Sequence, residues 1–250
     1  ARKKIRYVIQ EEMRGQSDAL YLAREYLQGP MLMAFSDTLI EPDLAFLPGE
    51  KADAIAWVKP VEDPRRFGVI ELDANGWATR LVEKPKELTN NLVLVGFYYF
   101  KQGEKLIEAI EEQMRRGKHL NGEYYLADAV NVLLESGIRM RKEQIKTWLD
   151  AGIPSAVLET NRYMLEKNCC GRIAQTDLPG VTIIPPVSID ADVHLESVVI
   201  GPHVSLGKGC HLKNVIIRDS VVDGHVVLED AVIEGSLIGQ LVNLKGTALR

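Results

Sequence analysis

The stretch that decides the fold runs from Val187 to Leu212, VSIDADVHLESVVIGPHVSLGKGCHL. Small apolar residues return six positions apart: Val187 and Val193, then Val198, Val204 and Cys210. A second row keeps the same step at Ile189 and Leu195, then at Ile200, Leu206 and Leu212. Turn residues fall between the rows, as in Asp190-Ala191-Asp192 and Gly201-Pro202-His203. An apolar repeat of this length, interrupted by turn residues, is the pattern of a parallel β-helix, in which each short strand points its apolar side chain inward and each coil stacks on the last. A two-layer sandwich would show longer strands alternating with period two. The repeat goes on through Val226 and Val232 and slips by one near Val215 and Ile216, where irregular corners are expected. Residues 181 to 238 should form roughly three coils, with Val187, Val193, Val204 and Cys210 pointing inward.

Before about residue 167 the pattern is different. Ile5 to Ile9 reads as a strand, and Ser17 as the cap of a helix running through Tyr21, Leu22 and Tyr26 to a stop at Gly29-Pro30. Met31 to Phe35 is a short apolar run of the kind a buried central strand makes, and Asp53 to Val61 is another strand. Phe67 to Leu72 and Trp77 to Val82 flank Asp73-Ala74-Asn75-Gly76, a hairpin signal. Leu92 to Phe100 is a further strand; Lys105 to Arg116, Tyr125 to Ser136 and Pro154 to Lys167 carry helical spacing. Alternating strands and helices predict an α/β sheet with helices on both faces. The domains are therefore placed at 1–167 and 181–250, joined by a linker from Asn168 to Gly180.

Composition is that of an ordinary globular chain, 46% hydrophobic and 26% charged over 250 residues. A formal net charge of -5 argues against nucleic-acid binding. The basic clusters Arg2-Lys3-Lys4 and Arg115-Arg116 with Lys118 read as solvated surface. Three cysteines, with Cys169 and Cys170 adjacent, form neither a disulfide framework nor a zinc pattern. No apolar run reaches the ~20 residues that span a bilayer, so no membrane partner is expected. No signal peptide is read at the start, and the expected compartment is the cytoplasm.

Candidate chemistry sits at strand ends. Asp37 follows the Met31 to Phe35 run, and Asp150 lies in Thr147-Trp148-Leu149-Asp150-Ala151-Gly152 at another strand-to-helix junction. Two carboxylates converging from strand ends can hold Mg²⁺ against a phosphate. Spacing alone favours the plainer alternative, a helix cap or loop aspartate. Glu83-Lys84-Pro85 ends a strand, where a lysine beside an acid can serve a phosphate and a hydroxyl together; an exposed strand-end pair is the competing reading. Gly68 inside a strand marks a close approach. Gln10 carries an amide able to read a base edge, and Gly15 precedes a helix whose N–H groups can face an anion. His194, His203, His211 and His225 fall near turns of the repeat region and read as exposed residues rather than as a general base for acyl transfer.

Taken in order, these segments resemble the sugar nucleotidyltransferase family, and among its members the glucose-1-phosphate thymidylyltransferases with a C-terminal left-handed β-helix. The resemblance is carried by Tyr7-Val8-Ile9-Gln10, Gly15 to Leu20, Ser36-Asp37-Thr38, Asp63 to Val69, Val82-Glu83-Lys84-Pro85, Asn91 to Tyr98, Gly122-Glu123 with Ala127-Asp128-Ala129, and Trp148 to Gly152. It implies a Rossmann-like mixed-sheet α/β nucleotidyltransferase domain followed by a left-handed parallel β-helix of hexapeptide repeats. It further implies that Gln10 and Gly15 contact the base, Asp37 and Asp150 bind Mg²⁺, and Gly68, Glu83 and the Leu94 backbone hold the sugar. Lys84 would meet the sugar phosphate and Tyr98 would line the pocket. The family opens with a strand and a glycine-rich loop containing Gly-Thr-Arg and a later Lys, which cradles the triphosphate; nothing in these residues matches it. The domain is therefore expected to be N-terminally truncated, lacking its first βα unit. The expected partners are a nucleoside triphosphate, dTTP by the resemblance, and a sugar 1-phosphate, with homo-oligomers formed through the β-helix. The alternatives are a non-catalytic sugar-nucleotide-binding subunit and a β-helix acyltransferase.

Overall fold

The computed structural model describes residues 5–119, 121–167, 179–246 and 248–249. Cys169, Cys170, the Arg2-Lys3-Lys4 cluster and most of the linker from Asn168 to Gly180 lie outside the described residues. The chain divides into two compact units, Ala1–Trp148 and Leu149–Arg250.

The first unit is built on a six-stranded mixed sheet. Its elements are α1 (Gln16–Leu22), β1 (Met31–Ala34), β2 (Thr38–Ile40), β3 (Ala54–Pro60), β4 (Gly68–Leu72), β5 (Ala78–Glu83), β6 (Leu92–Phe100), α2 (Gly103–Arg115), α3 (Leu126–Glu135) and β7 (Met140–Gln144). In the three-residue strand β8 (Trp148–Asp150) the chain passes into the second unit. The sheet order is β5-β4-β6-β3-β7, and β1 also lies on β6. The nine-residue β6 organises it. Its C-terminal half pairs with β1 (Ala34↔Phe97), its N-terminal half meets β4 (Val69↔Val93), and β3 runs antiparallel along the opposite edge.

Both faces of the central strands are buried, and β3 shows how. Ala54, Ala56 and Val58 enter the cluster beneath α2 and α3, with Leu106, Ile110, Val130 and Leu133. Ile55 and Trp57 enter the opposite cluster with Val95, Tyr99 and Ile145. Strand alternation sends neighbours to opposite faces, so a strand buried on both must be apolar throughout. The second face differs from expectation. Among the described residues of this unit, α1, α2 and α3 share one side, and Ile40, Leu44, Phe46 and Leu47 cover the other. Aromatic contacts let a short irregular segment suffice there: its Phe46 lies 6.4 Å from Trp57, which in turn meets Phe97 edge-on with centroids 4.8 Å apart.

Three other expectations change. Ile5 to Ile9 forms no strand; Ile5, Tyr7 and Ile9 are all exposed, so neither face of the segment gains the burial and ladder bonds that hold a strand. Ser17 does not cap α1. Gly15 is the cap residue, no side chain bonds the helix end, and Ser17 is fully buried inside the helix with its Oγ lacking a hydrogen bond. The helix is also shorter than expected: it gives way at Ala23 to a 3₁₀ turn, Arg24–Tyr26, before Gly29 turns the chain at φ +70°. The basic cluster of α2 is neutralised locally, as Arg115 and Arg116 both bond Glu112 and Lys118 reaches Glu135.

The second unit holds α4 (Pro154–Glu166) and a parallel β-solenoid of about four turns, where roughly three had been expected. One sheet stacks β9 (Val181–Ile183), β11 (His194–Ile200), β13 (His211–Arg218), β15 (Val227–Glu234), β17 (Asn243–Lys245) and β18 (Ala248–Leu249). The other stacks β10 (Val187–Ile189), β12 (Val204–Leu206), β14 (Val221–Val222) and β16 (Leu237–Ile238). The coil is shorter than a threefold hexapeptide. His194 lies under His211, 17 residues on, and His211 under Val227, 16 residues on. Left-handed backbone residues mark the corners: Ser197, Asn214 and Asp230 on one, Asp192, Gly209 and His225 on another, His203, Asp219 and Gly235 on the third. Some faces between corners are therefore five residues long, which is the physical origin of the slip near Val215. Val187, Val204 and Cys210 are buried inside, and Val193 is partly buried against the same core. Among the described residues, no helix is long and apolar enough to cross a membrane.

Candidate functional site

The antiparallel β4–β5 pair sets Glu83 directly opposite Gly68. A Cβ at position 68 would stand 3.1 Å from Glu83 Oε2 and 3.1 Å from Leu94 Cδ1, so the missing side chain lets the carboxylate lie against the sheet. Leu94 and Tyr98 stand four residues apart on β6 and enter the same buried cluster. Burial pushes the Tyr98 phenol well above its ordinary value, and the nearby Glu83 charge adds to this. The Glu83 carboxyl is itself raised by burial; Lys84 pulls it down and Asp128 pushes it up. Gly68, Glu83, Leu94 and Tyr98 thus form one group, with Asp128 from the first turn of α3 close enough to act on it.

Lys84 leaves β5 with φ +47°, an unusual conformation for a residue that carries a side chain and precedes a proline. Its N–H donates to the Phe67 carbonyl at 3.0 Å, which fixes the turn. Its ammonium donates to the Tyr125 hydroxyl at 3.4 Å and sits 5.3 Å from the centre of that ring. A strained backbone held by its surroundings is common where a side chain must be aimed.

Gln10, Gly15 and the start of α3 make a second group. Gln10 Nε2 donates to the Gly15 carbonyl at 3.1 Å and to Asp18 Oδ2 at 2.8 Å. Gly15 has φ +96° and ψ 177°, and a Cβ there would fall 2.6 Å from the Tyr124 carbonyl oxygen. The two segments are laced together by Tyr124 N–H to the Arg14 carbonyl (2.8 Å), Ser17 N–H to the Tyr124 carbonyl (3.1 Å) and Leu126 N–H to Gln16 Oε1 (3.2 Å).

Asp37 is an exposed residue of the turn between β1 and β2 in the first unit. Asp150 ends β8 in the second unit, and its Oδ1 accepts the Gly152 N–H at 3.2 Å, a local turn contact. No group of three or more His, Cys, Asp or Glu able to hold a metal ion occurs among the described residues. The repeat-region histidines divide. His194 and His211 are exposed and stack with centroids 4.5 Å apart. His203 is not simple surface: it lies 3.2 Å from Glu166 and 3.3 Å from Asp219, tying α4 to the solenoid.

Tyr125, Gln113, Gln16 and Asp128 carry no sign of a role in the amino-acid pattern around them. Tyr125 and Asp128 lie in or beside Gly122-Glu123 and Ala127-Asp128-Ala129, but Tyr125 bonds Lys84, and the charge of Asp128 acts on Glu83, across some forty positions of sequence. Gln113 is wholly buried on α2, and its amide donates to the Tyr125 carbonyl at 3.0 Å; an isolated glutamine in an amphipathic helix carries no signal of such a bond.

A mixed sheet with an acid–lysine pair at a strand end, followed by a parallel solenoid, defines a class of two-part proteins that join an α/β unit to a β-solenoid. The Nucleotidyl transferase family model matches residues 2–167, and the chain belongs to that family. It is 33% identical over 198 residues to the bifunctional protein GlmU of Methanococcus vannielii, covering 76% of this chain and 46% of that one. It is 29% identical over 192 residues to a glucose-1-phosphate thymidylyltransferase of Streptomyces griseus, covering 72% and 52%. A nucleoside-diphosphate-sugar pyrophosphorylase from Vibrio cholerae shares the fold, with a TM-score of 0.51 at 21% identity over 60% of this chain and 66% of that one. The chain spans about half the length of the curated relatives it matches.

Proposed function

We propose that the first unit binds a sugar 1-phosphate, glucose 1-phosphate by its likeness to the thymidylyltransferases, for transfer of a nucleotidyl group from dTTP. The observation that carries this reading is the grouping of Gly68, Glu83, Leu94 and Tyr98 beside the aimed Lys84. A half-buried carboxylate lying on a glycine suits a sugar hydroxyl, because such a group gains a donor that water supplies poorly there. Lys84, a compact charge at the strand end, suits the phosphate. In the reaction, a phosphate oxygen of the sugar 1-phosphate attacks the α-phosphorus of the triphosphate; that P–O bond forms as the bond to the β-phosphate breaks and pyrophosphate leaves. Gln10 and Gly15 are assigned to the base side. The carboxylates of Asp37 and Asp150 are hard oxygen donors of the type Mg²⁺ takes, and a bound Mg²⁺ would neutralise charge at the α-phosphate. Homo-oligomers are assigned to the solenoid, whose sheet exposes Ile216 and Val232 on its outer surface.

Binding is tested by ³¹P NMR titration of the chain with glucose 1-phosphate. Saturable binding by the wild type, lost in Lys84→Ala without loss of folding, is expected; equal binding by both would remove Lys84 and with it the reading. For transfer, pyrophosphate release from dTTP or UTP with glucose 1-phosphate and saturating Mg²⁺ is measured. A polypeptide of these 250 residues alone, which contain no glycine-rich triphosphate cradle, is expected to bind sugar phosphate without turnover. Turnover of ~1–10³ s⁻¹ would overturn that expectation.

A further inference from the structure

Resting on that reading of the sugar-phosphate site, we infer that Tyr125 is the positioning residue for Lys84, holding the ammonium where a phosphate meets it. Lys84 begins from a fixed point, since its backbone is in the left-handed region and its N–H is bonded to Phe67. Its side chain ends on Tyr125, which offers both a hydroxyl at 3.4 Å and a ring face at 5.3 Å. Tyr125 is itself buried, 8% exposed, so the phenol is a fixed partner and not a mobile surface group. Its backbone is held from two sides. Gln113 Nε2 donates to the Tyr125 carbonyl at 3.0 Å, and the following N–H, of Leu126, donates to Gln16 Oε1 at 3.2 Å.

The chemistry of this partner leaves the charge of Lys84 available to a ligand. Among the described residues no carboxylate forms an ion pair with Lys84, although Glu83 is its neighbour in sequence. An ammonium locked onto a carboxylate would have to give up an opposite charge to serve a ligand. A neutral phenol and a π face hold it by weaker, directional contacts. A phosphate dianion adds a stronger, charge-assisted bond to them without having to displace an opposite charge. An ammonium carries three donor hydrogens, so Lys84 can keep one on the phenol while another goes to the phosphate. Tyr125 therefore sets where Lys84 waits, and the glutamine-bound start of α3 sets where Tyr125 stands.

The test is a double-mutant cycle on the full chain, read by ³¹P NMR binding of glucose 1-phosphate. Tyr125→Phe keeps the ring and the packing and removes only the hydroxyl. It should weaken binding about three- to tenfold, the loss expected for one hydrogen bond. Lys84→Met should weaken it more, and adding Tyr125→Phe to Lys84→Met should then change binding less than twofold, because the phenol acts through the lysine. Equal effects of Tyr125→Phe in both backgrounds, or none in the wild type, would overturn the positioning role while leaving the sugar-phosphate reading intact. No binding by the wild type, or full binding by Lys84→Met, would overturn that reading and the inference together.

Discussion

Gly15→Ala separates backbone strain from steric overlap at the seam that leads to Tyr125. The native φ of +96° with ψ 177° lies in a region that only glycine adopts readily, and holding alanine there costs about 1–3 kcal/mol. The new methyl would also sit 2.6 Å from the Tyr124 carbonyl oxygen and 2.7 Å from its nitrogen, both of them backbone atoms that cannot swing aside. Relieving that overlap means parting the Arg14–Tyr124 and Ser17–Tyr124 hydrogen bonds, for about another 1–3 kcal/mol. A total near 4 kcal/mol lowers the melting temperature of a unit this size by about 8–16 °C. The protein supplies its own probe: Trp57, Trp77 and Trp148, its only tryptophans, all lie in the first unit, so indole fluorescence follows that unit. Gly122→Ala is the control, since Gly122 has φ +85° but no atom within 4 Å of a Cβ; it should cost about 1–2 kcal/mol. If the two variants melt within about 1 °C of each other, the close approach at Gly15 is not what holds the seam.

Three further outcomes are expected. The Glu83 carboxyl is raised above its ordinary 4.5 by burial, so the native state pays for ionising it as pH climbs through and past that value. Glu83→Gln should accordingly match the wild type in stability below about pH 4 and exceed it at pH 7; an excess that grows toward acid pH would contradict the burial argument. In the solenoid, Ile217→Ala removes a fully buried side chain and should lower the amide-exchange stability of β11, β13 and β15 by about 2–5 kcal/mol, whereas a change under about 1 kcal/mol would mean the core there is loose. If Asp37 serves a divalent ion, sub-millimolar Mn²⁺ should broaden the amide resonances of residues 36–39 in the wild type and spare them in Asp37→Asn; identical broadening in both would remove Asp37 from the metal site.

The parts of the fold that were legible are those whose own side chains record their burial. β6, apolar along its whole length, was read to the residue, and α2 and α3 were read from helical spacing. β7 was missed because Met-Arg-Lys-Glu-Gln buries only its methionine; the strand exists through its parallel ladder to β3, which no local pattern encodes. Ile5 to Ile9 erred in the opposite sense, with a strand's alternation but no partner. The repeat was visible in its apolar rows, while the coil length was not, because faces of five and of six residues are mixed without strict order and only the left-handed corners count them. At the candidate site, what was legible is that Glu83 and Lys84 are adjacent and end a strand. The roles of Tyr125 and Gln113 could not be read, since only the packing of α3 against β5 brings Tyr125 to the lysine and only that of α2 against α3 brings Gln113 to Tyr125.

The stacked corners of the solenoid carry a consequence for how this half of the chain tolerates changes in length. A rung is complete only after a full circuit, so the tail is quantised in circuits and not in residues. Excision of residues 211–226 would set Val227 on His194 with every corner still above a corner, as the ladders His194↔His211 and His211↔Val227 require. Loss of a single residue from one face would instead displace an inward side chain to the outside and carry a left-handed corner onto a β-branched residue. Drift in this region is therefore expected to proceed by whole-turn gain or loss, with the rung as the unit of inheritance.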